Sequence, residues 1–213
     1  MKPFCTRILP PRQNSRSTVC AAESDRMEII MKIALLGDSI RLGYGKRVEE
    51  MLSPDFEVFQ PADNCRFAKY MLRMLFDYRD AMKDCRVVHF NVGHWDLCEL
   101  FGEGTFSTEE EYRDNVVRIA RLLKSRHDAV IFATTTPVRD ENVYNKNSTI
   151  ARFNEIAVEA LLKEGVLIND LNALLVGDIQ RYICSDLIHL TDEGVEVCAK
   201  AVADVVKDTA AKL

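Results

Sequence analysis

Three residues have the types a hydrolytic triad uses: Ser39, Asp186 and His189. A serine oxygen attacks a carbonyl, a histidine takes its proton, and a carboxylate orients and stabilises the imidazole. Ser39 stands in Gly37-Asp38-Ser39, directly after the apolar run Lys32-Ile33-Ala34-Leu35-Leu36 and before a helical pattern. A serine there has its hydroxyl at a strand's carboxyl end and its N–H near a helix start. Dipole and free amides at such a point favour developing negative charge. Asp186 and His189 stand three apart in Asp186-Leu187-Ile188-His189, just before the last helical pattern. The flanks of Ser39 differ from the G-x-S-x-G elbow of α/β-hydrolases.

Each motif by itself has a plainer reading. Gly37-Asp38-Ser39 is also a strand-to-helix turn with a capping side chain. Asp186-x-x-His189 is also a solvated loop. What joins them is the order of the elements. Candidate strands are 32–37, 56–60, 86–91, 129–134 and 166–169. Helical patterns lie near 41–52, 66–82, 109–125 and 147–163, with a short one near 171–181 and a last one capped by Thr191. Ile150, Phe153, Ala157 and Leu161 form one apolar face, and Val116, Ile119 and Leu123 another. Alternating strands and helices predict an α/β chain with a parallel sheet covered on both sides. In such sheets ligands sit beyond the carboxyl ends of the strands. Residues 37–45, 61–66, 91–106, 134–146 and 183–190 should share that edge, which puts Ser39 and His189 together.

The chain has 213 residues, the size of one domain, and 47% are hydrophobic, enough for a substantial core. The net charge of −5 and the lack of a basic block interleaved with aromatics give no support to a nucleic-acid partner. No apolar run approaches the roughly 18 residues of a membrane span. The seven cysteines are scattered without C-x-x-C, so reduced thiols in a cytoplasmic setting are expected rather than a disulfide framework or a zinc site. Residues 1–30 read as a disordered extension or a misassigned start, with the domain at 31–213. The basic, acid-poor beginning has a faint transit-peptide character, and the ending Ala211-Lys212-Leu213 loosely matches a peroxisomal address. Asn147-Ser148-Thr149 is a glycosylation sequon with no secretory signal beside it.

With these motifs, residues of about 31–207 resemble the SGNH/GDSL hydrolase superfamily, whose members are esterases and lipases on a flavodoxin-like, three-layer α/β/α fold with a five-stranded parallel sheet. The resemblance implies Ser39 as nucleophile and Asp186 and His189 as acid and base. It implies hydrolysis of a small-molecule carboxylic ester through an acyl-enzyme, with no metal and no organic cofactor. The family's breadth makes a small acyl group, such as acetate on a carbohydrate, a reasonable substrate. The middle blocks depart from the pattern. Cys65, in Asp63-Asn64-Cys65-Arg66, stands where the family has an oxyanion-hole glycine. Trp95, in Gly93-His94-Trp95-Asp96, stands where it has an asparagine. The expected oxyanion donors are therefore the N–H groups of Ser39 and Cys65, with Asn64 and Asn91 to fill the gap. Asp38, His94 and Trp95 are expected to line the substrate pocket. His89 reads as core, His127 as surface, and Asp170 as a helix cap. The altered blocks also keep open a non-catalytic binding module for a carbohydrate or other small ligand on the same fold. A flavin- or phosphate-binding domain is disfavoured, because Asp38 in the first loop would repel an anion. Oligomeric state is not legible.

Overall fold

The structure, a computed structural model, describes residues 30–213. The expectation for residues 1–30 falls, save for Ile30, outside them, as do Cys5 and Cys20. The first strand, β1 (Met31–Leu36), alternates its side chains between two interiors: Ile33 and Leu35 face one, Ala34 and Leu36 the other. The same alternation runs through β3 (Cys85–Phe90) and β4 (Ala129–Ala133). Both faces of these strands are apolar because both are covered, as parallel sheets require. Shorter strands β2 (Phe56–Phe59) and β5 (Leu167–Asn169) close the edges. All pairings are parallel and the order is β2-β1-β3-β4-β5. The chain therefore reverses its direction of travel between β1 and β3, and the crevice at that switch point is the expected ligand site of such a sheet.

Helices α1 (Ser39–Leu52), α5 (Leu171–Leu175) and α7 (Asp192–Ala210) cover one face. Helices α2 (Ala68–Asp77), α3 (Glu109–Lys124) and α4 (Asn147–Lys163) cover the other. The apolar faces read from the sequence are buried: Ile150, Phe153, Ala157 and Leu161 on α4, and Val116, Ile119 and Leu123 on α3. Four of these helices start at a side-chain cap. Asp38 caps α1, Thr108 and Glu111 form a capping box on α3, Asp170 caps α5 as expected, and Thr191 caps α7.

The structure corrects three expectations. The second helix spans only Ala68–Asp77, not 66–82. Arg66 has φ 50°, which no helix allows, and beyond Asp77 the chain continues as turns closed by Met82 N–H to Tyr78 O and Cys85 N–H to Met82 O. The pattern near 171–181 is not one helix: a 3₁₀ turn at Val176–Asp178, holding the poor helix former Gly177, separates α5 from α6 (Ile179–Tyr182). His127 is buried rather than on the surface, its Nδ1 set 2.7 Å from the Cys85 carbonyl. His89 is a core residue, fully enclosed beside Asn169, and burial pushes its imidazole down to about 3.

Candidate active site

Ser39 is the first residue of α1, so its position follows from the Gly37-Asp38 turn. A Cβ on Gly37 would lie 2.0 Å from Asn91 Oδ1, so only glycine lets β1 turn this closely over the third strand's exit. The Asp38 carboxylate accepts from the Ile40 N–H at 3.0 Å and from the Asn91 amide at 2.8 Å. Asn91 in turn accepts weakly from the Tyr44 hydroxyl at 3.4 Å. This tie beneath Ser39 joins the exits of β1 and β3.

Across the crevice, the loop before α7 carries the other two groups. Asp186 Oδ1 accepts from the N–H groups of Ile188 (3.1 Å) and His189 (3.0 Å), a local turn that points the carboxylate at its own imidazole. The Asp186 Oδ2–His189 Nδ1 distance is 2.8 Å. His189 Nε2 lies 2.9 Å from Ser39 Oγ. With Asp186 on Nδ1, that nitrogen carries the proton, and Nε2 is left to accept from the serine hydroxyl. Burial acts to raise the Asp186 carboxyl. The N–H and imidazole bonds from His189 and the N–H of Ile188 outweigh it and hold the carboxyl below its usual range. Asp186 and His189 are about half exposed, so the site opens to solvent.

Two features not singled out from the sequence hold this loop and the Ser39 turn. Arg139 donates from Nε to the Ile183 carbonyl at 2.8 Å and from Nη2 to Gln180 O at 3.2 Å, and its N–H donates to Leu187 O. Leu187 has φ 77°, a left-handed conformation stored between Asp186 and His189. Arg41 is 1% exposed and donates to the Asp63 carbonyl at 2.8 Å, clamping the second loop to the first. Its signal was legible: a charge at 41 sits on the same helix face as Tyr44, Val48 and Leu52, where only core residues belong.

The expected oxyanion and pocket residues divide. The Ser39 N–H, at the first position of α1, has no acceptor among the described residues. The Cys65 N–H is not free: it donates to the Gly37 carbonyl at 2.9 Å, because the second loop packs directly on the Gly37-Asp38-Ser39 turn. The Asn91 amide gives one of its two N–H groups to Asp38, and the side chain is buried. Asn64 uses its carbonyl to hold the Arg66 N–H at 2.7 Å, which leaves its NH₂ as a donor at this edge. Asp38 does not line the pocket; it is 1% exposed and serves as cap and anchor. Burial raises its carboxyl, the Asn91 and Ile40 bonds opposing. His94 is also enclosed. Asn145 donates to its carbonyl (2.9 Å) and faces its Nδ1 (3.3 Å), so Nε2–H donates to Thr136 at 3.0 Å. Burial, then the neighbouring His189, pushes His94 down to about 3, and it stands as a neutral strut. Trp95, by contrast, is 45% exposed on the same loop. Behind it Asp96 is buried, accepting from the Ala68 N–H at 3.0 Å and the Ser107 hydroxyl at 2.8 Å. Burial raises its carboxyl to about 7 against those bonds.

Solved structures share this fold. A lipase/acylhydrolase from Enterococcus faecalis superposes with a TM-score of 0.71 at 18% identity, over 84% of this chain and 96% of that one. An acetyl xylan esterase gives 0.70 at 18% identity, over 83% and 100%. A GDSL-like lipase from Bacteroides thetaiotaomicron gives 0.68 at 17%, over 84% and 88%. No family model and no curated protein sequence matches the chain. The fold is thus that of the GDSL-type hydrolases, as the resemblance implied.

Proposed function

We propose that the protein is a serine esterase that hydrolyses a carboxylic ester through an acyl-enzyme on Ser39. The observation that carries this reading is His189, whose two ring nitrogens stand 2.9 Å from Ser39 Oγ and 2.8 Å from Asp186 Oδ2. As Ser39 Oγ bonds to the ester carbonyl carbon, its proton passes to His189 Nε2. The tetrahedral oxyanion takes the free Ser39 N–H and the positive end of α1. Collapse expels the alcohol, which receives the proton from Nε2. Water then repeats the sequence on the acyl-enzyme and releases the acid.

The second oxyanion donor in this reading is the Asn64 NH₂ or the Trp95 indole N–H, since the Cys65 N–H is given to Gly37 and the Asn91 amide is buried against Asp38. A missing donor lowers a serine hydrolase's rate by about a hundred- to a thousandfold, so a slow enzyme is expected if neither serves. The open site suits a small acyl group, acetate above all, with the alcohol part lying in solvent against Trp95. Acetyl xylan esterases among the similar folds support a carbohydrate alcohol. The Cys65 N–H given to Gly37 and the burial of the Asn91 amide favour one alternative, a binding module that keeps the fold without turnover. Hydrolysis of p-nitrophenyl acetate by the purified protein, lost in Ser39→Ala, is expected for the esterase; equal rates in the two proteins would overturn it.

A further inference from the structure

At the opposite end of the sheet from Ser39 lies a second cleft. The helices run antiparallel to the strands, so the ends of α2 and α3 meet at the amino edge, beside Cys85 at the start of β3. Between them opens a space of about 490 Å³. This is within the size range of small-molecule sites. Its floor is core side chain: Leu75, Met82 and Leu123. Its lips are apolar yet open to water, Phe76 at 59% and Leu122 at 42% exposed. Leaving two large apolar side chains at the mouth of an apolar cleft is unfavourable unless something covers them.

The charges at the rim say what the occupant carries. Lys83, Arg126 and Arg79 border the cleft against a single carboxylate, Asp80. Arg79 lies 3.6 Å from Asp80 and stacks over the Phe76 ring at 4.6 Å. Lys83 and Arg126 enter no ion pair among the described residues, although nearby Arg73 and Arg86 are both paired. Two free cations over an apolar floor match an alkyl chain with an anionic head. We propose that this cleft binds a free fatty acid, with the chain on Leu75, Met82 and Leu123 and the carboxylate between Lys83 and Arg126. The site does not depend on the esterase reading, because it shares no residue with the Ser39 crevice.

The test is titration of the full chain with sodium dodecanoate below its micelle concentration, followed by calorimetry and by backbone amide NMR. Expected are saturable one-site binding and amide shifts confined to residues 72–83 and 122–127. The double variant Lys83→Glu/Arg126→Glu should bind at least tenfold more weakly, as should 1-dodecanol to the unaltered protein. Both altered side chains are on the surface, and an unchanged melting temperature confirms that the variant is folded. Absent saturation, shifts at 37–41 and 183–190 instead, unweakened binding by the double variant, or equal binding of dodecanol would each overturn the assignment.

Discussion

His189 Nε2 lies 2.9 Å from Ser39 Oγ, although 150 residues separate them in sequence. The contact exists because β1 and β3 part at the topological switch of the sheet and the loop before α7 folds back over the gap. The Asp186 carboxylate fixes both the backbone and the ring of His189, so in the proposed mechanism the base is oriented before any substrate arrives. Removing that orientation has a defined effect. Asp186→Asn keeps the shape but presents an amide to Nδ1, and ester hydrolysis should fall by about 10³-fold or more, mostly in kcat. Steady-state kinetics on p-nitrophenyl acetate checks this; a loss confined to KM would contradict it.

Asp96 gives the fold a pH dependence. An aspartate in the unfolded chain titrates near 3.8, while burial raises Asp96 to about 7. Between those values the folded state holds a proton that the unfolded chain has released. The contribution of Asp96 to stability is therefore fully present below pH about 4, falls as pH rises to about 7, and is flat above. Three units correspond to up to about 4 kcal/mol. Denaturant unfolding of the protein and of Asp96→Asn at pH 5 and pH 8 isolates the effect: relative to the variant, the unaltered protein should lose stability at pH 8. A constant difference between the two would contradict the raised carboxyl.

Asn91→Ala tests the anchor under the nucleophile. Its amide is the one side-chain donor that Asp38 has among the described residues, and the second Asp38 oxygen already has no partner. Leaving a buried carboxylate with less satisfaction costs on the order of 2 kcal/mol. The variant should unfold at lower denaturant concentration. Its residual activity should fall less than that of Ser39→Ala, because Asn91 touches no reacting atom in this account.

Gly37→Ala should be more severe than an exposed glycine change. The new methyl would stand 2.0 Å from Asn91 Oδ1 and 2.6 Å from Arg41 Cβ. Loss of soluble expression or of most activity is expected, whereas Gly43→Ala, with nothing within 4 Å, should be benign or stabilising in its helix.

Much of this was legible in the sequence because it rests on local signals. The apolar runs of β1, β3 and β4 and the helical patterns of α3 and α4 recover the layers, and the strand-to-helix exit of Gly37-Asp38-Ser39 recovers the site's edge. What escaped depends on where polar groups spend their bonds. Nothing local to Cys65 says that its N–H is taken by Gly37, and nothing local to Asn91 says that its amide holds Asp38. Asp38 and His94 sit in the right loops, yet their side chains turn inward, because a tight turn and a bare loop each need an internal strut. His127 follows the same rule: it precedes a strand in sequence but caps the Cys85 carbonyl in space. Arg41 is the reverse case, a charge on a core face whose period announced it.

In the proposed mechanism His189 activates Ser39. A fluorophosphonate reacts rapidly only with an activated serine. Treating the purified protein with such a probe and mapping the adduct by mass spectrometry should find it on Ser39, and the adduct should vanish in His189→Ala. An unlabelled Ser39, or labelling that survives in His189→Ala, would contradict the account.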